Sequence, residues 1–247
     1  MTDLDPLLDP TGRTQPVQQA IVGGRSLWDD ARARLFRNRA AVISMWILGA
    51  LVLIAVFGPM LWVHKYSTIS DLRTIAPTLD GMHPLGTDLQ GRDLLARLMI
   101  GLRISLLVGV VATAVSLVIG VSWGATAGYL GERVDNFMMR IVDVLYALPF
   151  IFFVILLLTV FERNIVLIFA AIGAIEWLTM ARIVRGQTLA IKGKEFIEAA
   201  RASGVSRRDI ILRHIQPNVI GPVAVYVTLT IPVVILAESF LSFLGLG

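Results

Sequence analysis

The chain has 247 residues, of which 56% are apolar and 16% charged, with a formal net charge of +4. A soluble domain of this length needs far more polar surface, so the composition points to an integral membrane protein. With no cysteine, the chain offers neither disulfides nor thiolate metal ligands, and a redox role is not expected.

Residues 1 to 25 mix Asp, Pro, Gln and Gly and read as a flexible tail without the apolar core of a signal peptide. Residues 26 to 39 read as an interfacial helix. Ser26 and Asp29 have capping spacing, and Leu27, Trp28, Ala31, Leu35 and Phe36 fall near one face, opposite Arg32 and Arg34. Five apolar runs of about 20 residues, the length that crosses a hydrocarbon core, then follow: Ala40 to Val63, Ile104 to Gly128, Phe137 to Phe161, Ile165 to Val184 and Asn218 to Phe243. The fold class is therefore all-α, a polytopic transmembrane helical bundle.

With the N-terminus inside, sixteen of the 22 Lys and Arg residues fall on inner segments, which places the N-terminus and residues 185 to 217 in the cytoplasm. Membrane topology then explains the basic balance, and nucleic acid is not needed as a partner. The last residues, Ser242 to Gly247, carry no polar tail, and a further span is expected beyond them.

The outer segment, residues 64 to 103, is rich in turn formers around Gly86, Asp88 and Gly91. Its glycines lack phosphate-loop spacing and no carboxylate cluster surrounds them, which argues against a nucleotide or metal site. Leu94, Leu95, Leu98 and Met99 suggest a short helix on the outer interface. In the second span, Gly120, Gly124 and Gly128 recur every four residues, a spacing that lets helix backbones approach closely, and packing within the subunit is the favoured use. Pro149, Pro222 and Pro232 lie inside spans and are expected to bend them.

Ionisable groups inside spans are costly unless they are paired or face water. Arg140 and Asp143, three apart, can neutralise one another. Glu176 and Glu238 have no local partner, so Asp143, Glu176 and Glu238 are the candidate path residues. The three histidines, His64, His83 and His214, lie at or beyond span ends, share no metal-ligand spacing and leave an intramembrane hydrolase without a base.

The segment between the last two spans carries the clearest pattern. Glu195 to Ser203 reads as a helix with Phe196, Ile197, Ala199 and Ala200 as its apolar or small face, and Gly204 is placed to end it in a left-handed conformation. Ser206 with Asp209 caps a second helix carrying Ile210, Ile211 and Ile215, which Pro217 terminates. Two helices about a glycine also describe a DNA-binding motif, but membrane spans clamp this segment at both ends. Small alanines admit a close partner, and flanking cations suit acidic residues or membrane lipid.

Glu198-Ala199-Ala200, Gly204, Ile215 and Pro217 resemble the EAA loop of ATP-binding-cassette importer membrane subunits, with Gln216 in place of the usual Leu before the proline. Gly86-Thr87-Asp88, Gly91-Arg92-Asp93, Arg103-Ile104-Ser105-Leu106 and Glu238 to Gly247 are similar to the peptide-importing branch. Arg25 to Ala31 and Met180 to Leu189 resemble its oligopeptide and dipeptide permeases. The resemblance covers residues 26 to 247. It implies a type I importer permease fold with six spans, of which five are present, and both ends in the cytoplasm.

It further implies a homologous second permease subunit, two ATP-binding-cassette ATPase subunits and an extracytoplasmic peptide-binding protein as partners. Glu195, Glu198, Ala199, Ala200, Gly204 and Pro217 take the ATPase-coupling role. No Walker A sequence is present, so the subunit has no ATPase site or cofactor of its own, and ATP and Mg belong to the partners. The competing expectation is an ion-coupled secondary transporter that uses the intramembrane acids.

Overall fold

The computed structural model describes residues 27–149, 152, 156, 160 and 165–245. The expected tail, Ser26 and the last two residues lie outside them. Two compact units divide between Leu51 and Val52. In the first, α1 (Leu27–Arg37) is followed by Asn38, whose side-chain oxygen accepts from the amides of Ala40 (3.1 Å) and Ala41 (3.3 Å) and so starts α2 (Arg39–Leu61).

The second unit takes up the rest of α2, then α3 (Leu94–Leu130), α4 (Glu132–Ala147), α5 (Ile165–Lys192), α6 (Glu195–Ala202) and α7 (Arg207–Phe243). No strand occurs among the described residues, only isolated bridges at Thr78 with His83 and Thr87 with Asp93. Three helices, α2, α3 and α7, are long and apolar enough to cross a membrane.

The α3–α5 pair is the most extensive packing in the bundle, and the glycine stripe explains it. A Cβ on Gly120 would stand 2.5 Å from Met180, one on Gly124 would meet the Ala181 carbonyl and stand 2.9 Å from the Arg185 nitrogen, and one on Gly128 would stand 2.8 Å from Thr188. The stripe thus packs within the subunit, as expected. On another part of α3, Gly109 meets Ile231 and Ile235 of α7 in the same manner.

Several sequence expectations are corrected. The helix proposed for the outer interface is continuous with the second span: α3 runs unbroken for 37 residues, about 55 Å. The third span is not one helix. α4 ends at Ala147, and Leu148 is extended (φ −73, ψ 130) because the following Pro149 disfavours helical backbone there. Pro149 therefore ends a helix rather than bending one. Pro217 does not terminate a helix either, since α7 runs through it after a π-helical turn at Ile210–Ile215.

The outer segment closes on Asp93. Its carboxylate caps α3 by accepting from the Ala96 amide (2.7 Å), and it also accepts from Trp62 Nε1 (3.1 Å) and bonds His83 Nδ1 (2.8 Å). Gly86 and Gly91 have positive φ of 77°, and a side chain at either would collide with the backbone carbonyl of Ile75 or Ser70. Asp88 accepts from the Gln90 and Arg92 amides and pairs with Arg97. These bonds fold the loop onto itself.

Burial opposes the charge of Asp93, but the Ala96 amide, His83 and Trp62 together outweigh it and hold its pKa below the usual value. A depressed carboxylate contributes stability that is fully present above the unfolded pKa, about 3.9, and is lost as pH falls through the native value. Asp93→Ala is expected to cost about 3 kcal/mol, from a lost cap and from the buried His83 and half-buried Trp62 left without their acceptor. Asp93→Asn will flatten the acid-side loss of protection at the Ala96 amide, read by hydrogen exchange. An unchanged acid profile would remove this role for the Asp93 charge.

Candidate functional site

α6 begins where Lys194 is extended (φ −81, ψ 148) and ends where Gly204 takes φ +77 with nothing within 4 Å of a Cβ placed there. The Val205 amide bonds back to the Ala200 carbonyl (3.1 Å), and that to Gly204 bonds to the Arg201 carbonyl (3.0 Å), so the left-handed glycine reverses the chain as expected. Ser206 then caps α7 by accepting from the Asp209 amide (3.1 Å).

The apolar face anticipated on α6 is split. Ile197 and Ala200 are buried, at 0% and 8% exposure. Phe196 and Ala199 point outward with Glu195, Glu198 and Gly204. Positions 197 and 200 are three apart and 195, 198 and 199 are three and four apart, so one short helix presents an anchoring face and an outward face. The outward face combines two carboxylates, an aromatic ring and a small residue. Ala200 thus anchors the helix.

The anchor joins three helices. Ile197 and Ala200 share one core with Ala125 and Tyr129 of α3, Val184 and Ile191 of α5, and Ile210 and Val219 of α7. Arg201 reaches back from α6 to the Tyr129 hydroxyl (3.3 Å), with its guanidinium 5.1 Å from the ring centroid. Arg185 of α5 forks onto Asp135 of α4 through two bonds of 2.5 and 2.6 Å. A displacement of α6 cannot be absorbed locally, because close-packed interiors transmit strain. Pro217 lies at the start of the regular part of α7, between Ile215 and Val219 of this core. Its missing N–H is accommodated by the π turn, in which the Gln216 amide bonds to Ile211, and by Asn218, whose side chain donates to the His214 carbonyl (2.6 Å).

The candidate path acids are not brought together. Asp143 pairs with Arg182 of α5 (2.8 Å), and Arg182 also lies 4.2 Å from the centre of the Tyr146 ring. This replaces the expected Arg140–Asp143 pair, because α4 turns Asp143 toward α5. Glu238 has a partner after all: it accepts from the Ser105 hydroxyl (2.9 Å) of α3. Glu176 alone lines a cavity of about 520 Å³, together with Tyr146, Pro149, Thr179, Val233 and Ala237. Sequence reasoning missed Tyr146, Thr179, Tyr129 and the Arg185–Asp135 fork. For Tyr129 a signal existed, an aromatic residue where an apolar run meets a basic segment. Among the described residues no group of three His, Asp or Glu side chains could hold a metal ion.

Residues 116–247 match the family of binding-protein-dependent transport system inner membrane components, and residues 26–78 match the N-terminal transmembrane domain of oligopeptide transport permease C. The chain is 54% identical over 232 residues to the oligopeptide transport system permease protein of Haemophilus influenzae, covering 94% of this chain and 75% of that protein. To the corresponding protein of Bacillus subtilis it is 41% identical over 222 residues, covering 90% and 72%. To the dipeptide transport system permease protein of Bacillus subtilis it is 44% identical over 223 residues, covering 90% and 69%.

Proposed function

The chain belongs to the family of binding-protein-dependent transport system inner membrane components, and we propose that its α6 helix couples ATPase partners to the passage of peptides. It is a permease subunit of an ATP-binding-cassette peptide importer, a multi-pass membrane protein whose relatives imply ATPase and other subunits as partners. The ion-coupled alternative is set aside: these relatives give it no support, and its three acids do not converge on one site.

In the proposed arrangement the N-terminus and residues 185 to 217 are cytoplasmic, a homologous permease completes the path, and a peptide-binding protein delivers cargo from outside. Two ATPase subunits hold the nucleotide and Mg. The observation that carries the coupling role is the division of α6. Glu195, Phe196, Glu198 and Ala199 face outward, while Ile197 and Ala200 are locked into a core shared by α3, α5 and α7. Ala199 and Gly204 leave room for a partner's backbone, and Pro217 together with the π turn marks where α7 takes up the motion.

ATP-driven closure of the partners would shift α6 as a rigid element, and the shared core would carry the shift into three helices. Only a difference in affinity for the two states can drive such a switch. The cavity beside Glu176 is the proposed segment of the path, with Tyr146 and Thr179 offering hydroxyls to peptide groups.

The test is affinity purification of the membrane complex, wild type against Glu198→Arg, followed by peptide-stimulated ATPase assay. ATPase subunits should copurify with the wild type and be retained about tenfold less by the charge-reversed variant. A wild-type permease that retains no ATPase, together with uptake that persists without ATP, would sink the assignment.

A further inference from the structure

Beside the α6 anchor lies a cavity of about 420 Å³ whose polar lining is Lys192, Arg201, Arg207 and Tyr129. Arg201 lies 5.1 Å and Lys192 6.0 Å from the centroid of the same Tyr129 ring. Arg97, Arg182 and Arg185 each have a carboxylate partner. By contrast, none of Lys192, Arg201 and Arg207 forms an ion pair among the described residues. Three cations lining one cavity, two of them beside the same ring, repel one another, and an anion between them would relieve that repulsion.

A second cavity of about 390 Å³ adjoins the first and shares Leu130 and Arg207 with it. Its lining includes Ser122, Thr126, Ile211 and Leu212. One helical turn from Ser122, the flank of α3 is open and apolar: Val118 is 67% exposed and Ile119 39%. Arg208 and Gln216 line the second cavity as well, so the pair of cavities is cationic from the first into the second and leads past Leu212 onto a surface suited to hydrocarbon.

We propose that these joined cavities form a binding site for an anionic phospholipid, with its phosphate among Lys192, Arg201 and Arg207 and an acyl chain laid along Leu130, Leu212 and the Val118 flank of α3. A soluble phosphate or nucleotide satisfies the cations and leaves the apolar half unused. A neutral hydrocarbon does the reverse. Only a lipid with a charged headgroup matches both, and its level in the membrane agrees with a tyrosine and cations at the end of a span. Arg201 belongs to α6, so a bound lipid braces the proposed coupling helix against α3 and α5. The inference rests on the proposed placement of residues 185 to 217 at the cytoplasmic membrane surface.

The experiment titrates the purified, delipidated complex with short-chain phosphatidylglycerol, short-chain phosphatidylcholine and inorganic phosphate, and reads retained ligand by native mass spectrometry. Phosphatidylglycerol should bind about tenfold or more tightly than either of the others. Lys192→Gln and Arg207→Gln should each weaken it about fivefold, and the double variant about thirtyfold. Equal binding of phosphatidylcholine, equal binding of inorganic phosphate, or unchanged affinity in the double variant would each overturn the proposal. ATPase copurification is scored in the same preparations, so failure of the coupling assignment shows as a missing ATPase and leaves the lipid titration readable.

Discussion

An Ala199→Glu variant will reach the membrane at normal abundance, yet bind ATPase subunits about 100-fold more weakly and lose peptide uptake in proportion. Ala199 is exposed on the outward face of α6, where the change in helix propensity costs only a few tenths of a kcal/mol, about 0.5 at most. The fold therefore has no reason to fail. In the proposed coupling role the added side chain stands one helical turn from Glu195, where a partner's backbone would approach the small Ala199, and holds it off. Ile197→Ala is the contrasting change: Ile197 is fully buried, so truncation should cost about 2 to 5 kcal/mol of stability. Its deficit will show first as reduced abundance. Unchanged uptake by Ala199→Glu at wild-type abundance would remove α6 from the coupling role.

Gly124→Val will have the largest effect on folding. A Cβ at that position collides with the Ala181 carbonyl and the Arg185 nitrogen. These are backbone atoms and cannot rotate away as a side-chain end can. α3 and α5 must separate, which opens their shared surface and drags the Arg185–Asp135 fork out of line. Overpacking in a well-filled interior costs about 1 to 3 kcal/mol, and misalignment of the partly exposed Arg185–Asp135 pair adds to it. Detergent-extracted protein should melt well below the wild type or aggregate on size exclusion. Gly101→Val, on the same helix with open space around it, is the control. If the two variants melt alike, close approach at Gly124 is not what holds the pair.

The parts of the site legible in the sequence are those with local causes. Gly204 could be placed because a left-handed turn after a short helix favours glycine, and Ser206 because a hydroxyl three residues before Asp209 can reach its amide. The glycine stripe was readable because its spacing is that of one helix face. What escaped depends on which helices meet. Asp143 was matched with Arg140 three residues away, whereas its partner Arg182 is 39 positions distant. Glu238 finds Ser105 across 133 positions. The split of α6 was hidden because a helix with partners on two sides has no single apolar stripe. Asp93 is a missed chance: an aspartate just before an apolar run is a cap signal.

The π turn at Ile210–Ile215 makes α7 a jointed element. Ile210 and Ile215 are both buried, at 1% and 0% exposure, although positions five apart on a regular α-helix point about 140° away from each other. The wide turn absorbs the surplus residue and brings both side chains to the same core. The phase of α7 is thereby offset across the turn, while Val219 beyond Pro217 still reaches the core that holds the α6 anchor. α7 therefore holds an offset of phase between its first turns and its long span without a break in the rod.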